Sequence, residues 1–365
     1  MFGRFHYVPL LKAKAGEMRA LEDLADENRD AITPLLDVVP IPWDFVEDRP
    51  AKAVEQHLAT LVPQTQRSWG TERPFFVDLA NIEDESLIGG RAPLLYVMEG
   101  YRAIGAQAIP VTGPGRTTAY QTAITESVLA DQRGVCVRVP VEGLGRPQRL
   151  RDTLVALLAD LGMTAADADL ILDFEAIRPS QVSLIVSQAA ILFDSVSEIA
   201  WRSLTFAAGS FPESLERVGS DSVELIARSD WAAWQSLVLE GETDLPRFPA
   251  FGDYGIAGVE FSEIDPRIMQ MSANVRYTAE EAWVVLKGRS VRKGFDQFHR
   301  LCADLVRRPD FRGEGFSAGD RYIARCARRE VGPGNATTWR QMGTNHHLTL
   351  VERAIANLSA SSTIA

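Results

Sequence analysis

Eight short apolar runs, each followed by a segment whose apolar residues recur every three or four positions, constrain this chain more than any other feature. The runs occupy 7–12, 32–37, 75–78, 108–112, 135–138, 170–173, 203–206 and 249–252. Helical spacing fills 16–26, 54–61, 94–105, 119–130, 150–161, 180–190 and 212–218, and the segment 223–239, with Trp231 and Trp234, is expected to extend the short seventh helix. Strands that alternate with helices pair in parallel, and runs that are apolar throughout belong to a sheet covered on both faces. An open doubly wound sheet would place a GxGxxG turn after its first strand, and none is present. The expected fold is an α/β, TIM-like (β/α)8 barrel.

Beyond the eighth run the pattern changes. Residues 275–277 and 283–286 read as two strands joined by a polar turn, followed by helices at 295–306 and around 320–328 and by a Gly/Asn/Thr-rich stretch at 332–345. The amphipathic segment 348–358 suits a last barrel helix. The expected division is a barrel at 1–261, an α+β lid inserted at 262–345, and a final helix and tail at 346–365. An insertion between the eighth strand and its helix starts and returns on the face where barrels carry their chemistry.

Composition narrows the function classes. With 38 Lys+Arg against 49 Asp+Glu, a net charge of −11, extended nucleic-acid binding is not expected, because phosphate binding needs clustered cations. Three cysteines without paired spacing imply no disulfide framework, and Cys136, inside a strand, reads as core. The short apolar run at the N-terminus is flanked by lysines and does not read as a signal peptide, and no apolar stretch reaches the length of a membrane span. The cytoplasm is the expected location.

The segments YVPLLKAKAGEMRAL, ITPLLDVVP, RYTAEEAWVVLKGR and TTWRQMGTNHH together resemble the phage beta-protein family. The likeness spans nearly the whole chain, with its clearest segments at both ends. It implies a barrel-like fold and a setting in phage infection or antiviral defence, and it supplies no reaction and no catalytic residues.

Polar residues end the strands: Lys12 and Lys14, Asp37, Asp78, Thr112, Arg138, Asp173 and Glu175, Ser210 just after the seventh, and Asp253. In a barrel this rim carries catalysis, while the opposite rim and the interior serve packing. Asp173 and Glu175 share strand parity and are expected to face the mouth with Asp78 and Asp37, as an acid/base pair or as oxygen ligands for a divalent cation. The plainer reading pairs these carboxylates with Lys12, Lys14 and Arg138 in a salt-bridge network.

In the lid, Arg276, Tyr277, Arg340, Asn345 and His346 are expected to border the same pocket. Residues 338–347, rich in hydrogen-bond donors, would bring the N-terminus of the last helix to an anion, or Thr344 or Asn345 would simply cap that helix. Asp78, Asp173, Glu175, Lys12 and His346 are the catalytic candidates. Lys14, Asp37, Arg138, Asp253, Arg276, Tyr277, Arg340 and Asn345 are the ligand-binding candidates. The adjacent His346 and His347 lack metal-site spacing, 287–293 reads as a solvated basic loop, and Gly113-Pro-Gly-Arg116 reads as a turn. Three functions remain open: a hydrolase or phosphodiesterase-like enzyme acting on a phosphorylated or nucleotide-like molecule, a non-catalytic sensor using the same pocket, and a scaffold for a protein partner or a second copy.

Overall fold

The computed structural model describes residues 2–141, 147–239, 245–261 and 271–364, leaving aside the side chains of Lys293 and of 361–364. The eight apolar runs close into a parallel barrel. Its strands, first to eighth, are Tyr7–Lys12, Leu35–Asp37, Phe75–Asp78, Ala108–Thr112, Val135–Pro140, Ala168–Ala176, Ser203–Gly209 and Ala250–Asp253, with the eighth hydrogen-bonded to the first.

Alternation along the strands decides which side chains enter the barrel. Val8, Leu10, Leu35, Phe76, Ile109, Val111, Cys136, Ile171 and Ala207 pack together in the interior. Gly252 completes that layer because a β-carbon there would stand 2.9 Å from the Val8 carbonyl oxygen. The neighbouring parity, with Tyr7, Leu11, Leu36, Phe75, Val77, Val135, Val137, Leu170, Leu172 and Phe251, packs in the core beneath the surrounding helices.

Three expectations about elements need correction. Residues 212–218 form no helix. Ser222–Ala227 is a strand, not the start of a helix; the helix that follows is Ser229–Leu239. That strand pairs antiparallel with Ala282–Ser290, which pairs with Ser272–Thr278, so the lid sheet takes one strand from between the seventh and eighth barrel strands. The last helix runs Ala336–Ile364, so most of the expected loop at 332–345 is helical. Asn335 opens it, its Oδ1 accepting the Thr338 N–H at 3.1 Å.

Lid helices Gln297–Leu305 and Ala318–Ala327 cover one face of the lid sheet around Phe298, Leu301, Leu305, Ile323 and Trp339. The expected lid start at 262 lies outside the described residues. Among the described residues no helix is long and apolar enough to cross a membrane.

Candidate functional site at the barrel mouth

One step above the interior layer, the same inward parity brings Lys12, Asp37, Asp78, Arg138 and Asp173 to the C-terminal mouth, and Tyr254 follows two residues beyond Gly252. Arg138 is the hub. Its Nε donates to Asp173 Oδ2 (2.9 Å), its Nη1 to Asp78 Oδ2 (3.1 Å) and Asp37 Oδ2 (3.3 Å), and its Nη2 to the Tyr254 hydroxyl (2.8 Å). Tyr254 in turn donates to Asp173 Oδ2 at 2.5 Å.

Arg116, delivered by the Gly113-Pro-Gly-Arg116 turn, donates to both oxygens of Asp78 (3.0 and 3.2 Å). Asp78 Oδ1 also accepts the Ala80 N–H, and Asp173 Oδ1 accepts the Glu175 N–H. Asp37 is held least, by the long bond from Arg138 and by Asn81 Nδ2 at 2.9 Å.

Three carboxylates share two guanidiniums directly, while the Lys12 ammonium is hydrogen-bonded to the Gly258 and Glu260 carbonyls instead. Asp37 carries the consequence: burial first, then the neighbouring Asp78 and Asp173, outweigh Arg138 and push its carboxyl up to about 6. Lys12 is the Cα partner of Asp37 across the first and second strands. Its Nζ donates to the carbonyls of Gly258 (2.9 Å) and Glu260 (2.5 Å) and lies 4.5 Å over the Phe261 ring. Burial, then Lys14 and Arg340, bring the Lys12 amine down to about 8.

Three of the four carboxylates offered as an acid/base pair or as cation ligands, Asp37, Asp78 and Asp173, surround a guanidinium. Among the described residues no group of three or more His, Cys, Asp or Glu is placed to hold a metal ion.

Other candidates lie elsewhere. Glu175 adopts φ 53° where the sixth strand's register shifts, which breaks the parity it was expected to share with Asp173. Lys14 is exposed ahead of helix Ala15–Glu22. Thr112 points outward and donates to Gln121 (2.8 Å), and Ser210 donates to Asp230 (2.8 Å).

Asp253 has the outward parity. It accepts from the Tyr7 hydroxyl (2.6 Å) and the Gly255 N–H (3.0 Å), and its Oδ2 meets His347 Nε2 at 2.9 Å. His347 Nδ1 lies 2.9 Å from the Thr278 hydroxyl of the lid. This chain has the groups of a hydrolytic triad, but Asp253, His347 and Thr278 are completely buried. Burial keeps His347 below its ordinary value, so its Nε2–H donates to Asp253 and its Nδ1 accepts from Thr278. Burial would raise Asp253, yet His347, Tyr7 and Arg228 outweigh it and hold the carboxyl below its ordinary value.

His346 sits one position further round the helix and faces two acceptors, Asp320 Oδ2 and the Thr278 carbonyl, both at 2.8 Å. Asp320 also accepts from Ser317 and Tyr277. Tyr277 stacks on His346 at 3.8 Å. Asn345 accepts the Gly319 N–H and donates to the Ala20 carbonyl. Neither Asn345 nor Thr344 caps the last helix, since both lie within it; Asn345 instead holds a first-turn N–H of the helix Ala318–Ala327. Tyr277, Asn345 and His346 thus fasten the lid to the barrel and do not border the mouth.

Arg276 and Arg340 line a small cavity of about 120 Å³ with Trp339 and Phe295, and both donate to the Ile256 carbonyl, at 2.7 and 3.0 Å. The loop after the eighth strand therefore takes Lys12 through Gly258 and Glu260 and the two arginines through Ile256.

Sequence reasoning missed Tyr254, Arg116 and Asn81. Continuing the strand alternation past Gly252 would have found Tyr254, whereas Arg116 and Asn81 come from loops without such periodicity.

No curated protein matches this chain. A solved structure from Burkholderia cenocepacia J2315, provisionally described as a lyase/mutase, aligns with 11% identity over 70% of this chain and 78% of its own, at a TM-score of 0.35, which carries no argument about activity. The sequence profile of the Beta protein family matches residues 7–353, nearly the whole length. The chain, an eight-stranded parallel barrel with an inserted α+β segment, therefore belongs to the Beta protein family.

Proposed function

We propose that this protein is an enzyme that binds a small anionic molecule at the barrel mouth and moves protons there with Asp37 and Lys12. One observation carries the reading. Two register partners on adjacent strand ends are displaced from opposite sides toward neutrality, the carboxyl to about 6 and the amine to about 8. Opposed shifts within one site suit a base and an acid that work together near neutral pH.

Arg138 and Arg116, fixed by the carboxylates, and the Lys12 ammonium suit a phosphate-bearing or nucleotide-like substrate. In the hydrolytic version Asp37 takes a proton from water as its oxygen bonds to phosphorus. Lys12 gives a proton to the leaving oxygen as the ester bond breaks, which balances the step. The setting in phage infection or defence rests on the family likeness of the terminal motifs.

The test incubates a panel of phosphate esters and nucleotides with the wild type, Asp37→Asn and Lys12→Met, following released phosphate and thermal stability. The reading expects turnover by the wild type with limbs near pH 6 and 8, lost in both variants. The saturated hydrogen bonding of Asp78 and Asp173 favours a second reading, a non-catalytic receptor, which expects stabilisation without turnover. Neither stabilisation nor turnover from any compound overturns both. Plaque counts on cells carrying the wild type or Asp37→Asn test the setting.

A further inference from the structure

A separate pocket of about 380 Å³ opens where the lid turn, the last helix and the helix Ser229–Leu239 meet, and none of the mouth residues lines it. Arg228 lines it, just after the edge strand of the lid sheet. This side chain is 1% exposed. Its Nη1 donates to the carbonyls of Glu280 (3.0 Å) and Ala279 (3.3 Å), and its guanidinium lies 5.1 Å from the Trp231 ring and 5.8 Å from that of Trp283. Nε and Nη2 have no partner in the protein. Asp230 and Asp253 act on Arg228 only through their fields, because among the described residues no carboxylate lies within 4.0 Å of it.

Burying a guanidinium with two donor nitrogens unpaired is among the costlier arrangements a fold can hold, and it becomes favourable when an acceptor arrives. The rim is mixed in charge, with Glu280 and Glu281 beside Arg312 and Arg353, the last 3.5 Å from Glu27. Arg353 lies 4.8 Å over Phe316, and Arg312 pairs with Glu280. Trp231, Phe316 and Leu350 give the pocket an apolar wall. Its size falls within the range of small-molecule sites.

We propose that this pocket is a second ligand site, distinct from the mouth, for a small organic oxyanion: a phosphate or carboxylate head that meets Arg228 and the rim arginines, on an aromatic or apolar body against Trp231 and Phe316. Aromatic contact at Trp231 makes binding visible in tryptophan fluorescence.

The experiment titrates the full chain with phenyl phosphate, benzoate and inorganic phosphate, read by fluorescence and calorimetry. At least one organic probe should bind with a change in emission, and the two probes distinguish a phosphate from a carboxylate head. Inorganic phosphate alone should bind more weakly, since it lacks the apolar body. Arg353→Glu, on the rim, and Arg228→Lys, which keeps the charge but loses the fork, should each weaken the organic probe about tenfold or more. Lys12→Met should leave it unchanged.

If Arg228→Lys fails to fold, Arg353→Glu decides alone. Absence of binding by both organic probes, or affinities unchanged in the arginine variants, overturns the proposal. Binding lost in Lys12→Met but kept in Arg353→Glu places the probe at the mouth, which overturns this site and leaves the proposed function standing.

Discussion

At the mouth three carboxylates share one hub guanidinium, and at the lid seam two neighbouring histidines each face one carboxylate. Both networks are buried and both join distant parts of the chain. They differ in what is left over. Each seam carboxylate finds donors enough to stay ionised, and both lie below their ordinary range. At the mouth burial and the neighbouring Asp78 and Asp173 outweigh Arg138 and raise Asp37 at the edge, beside the partly exposed Lys12. Triad-like groups thus mark a fastening, while a plainer Asp/Lys pair carries the opposed shifts. Residue types alone do not separate the two; charge balance and access do.

The hub is where the two networks should differ most. Arg138→Met leaves Asp37, Asp78 and Asp173 buried without their shared counter-charge, and the expected loss is about 3–5 kcal/mol in urea unfolding. The variant should regain stability as pH falls and the carboxyls protonate. An Arg138→Met protein as stable as the wild type at pH 8 would end the account of the mouth as a charge cluster.

At the seam, His347→Ala removes the donor that joins Asp253 to the last helix and the link to Thr278. About 1.5–3 kcal/mol is expected, the range for hydrogen bonds to charged groups. Hydrogen exchange should speed up in Ser272–Thr278 and the last helix and leave the barrel strands protected. Uniform loosening of barrel and lid would show that the seam is not a local fastening.

Asp37 gives a smaller effect with a definite sign. Its folded value of about 6 lies above the ordinary 3.8, so between those pH values the folded state holds a proton that the unfolded chain has released. Stability therefore falls as pH rises through that window and levels off above it. Asp37→Asn should flatten the fall by about 1–2 kcal/mol. The smallest change is Tyr254→Phe, which takes one hydroxyl donor from Asp173 while Arg138 remains, and about 1 kcal/mol is expected from thermal unfolding.

The sequence made the barrel legible because its strands are short, apolar and separated by helices. Ser222–Ala227 was not legible: six residues support either period, and the partner strand sixty residues later decides for a strand. The last helix was misjudged because Gly343, Thr344 and Asn345 resemble a loop. Gly343 is there for packing, since a β-carbon would stand 2.6 Å from the Ile256 side chain and 2.9 Å from the Arg276 carbonyl. Close approach between lid and helix, and no turn, requires that glycine.

At the mouth, the inward residues followed from parity once the interior layer was fixed. Asp253 was misplaced because it ends a strand whose inward parity falls on Gly252 and, just beyond the strand, on Tyr254. Arg228 gave no signal at all, because its role depends on the lid turn folding back over it.

The last helix, Ala336–Ile364, packs against lid strand Ser272–Thr278 and lid helix Ala318–Ala327 and also against the first barrel strand and helix Ala15–Glu22. One rigid rod, about 43 Å long at 1.5 Å per residue, is thus common property of both parts. The lid cannot have been added to, or stripped from, a self-sufficient barrel without rebuilding the element that closes the barrel wall. Lineages that trimmed it would have to supply a new closing helix at the same time, so variation within this architecture should gather in the loops and spare the lid as a whole.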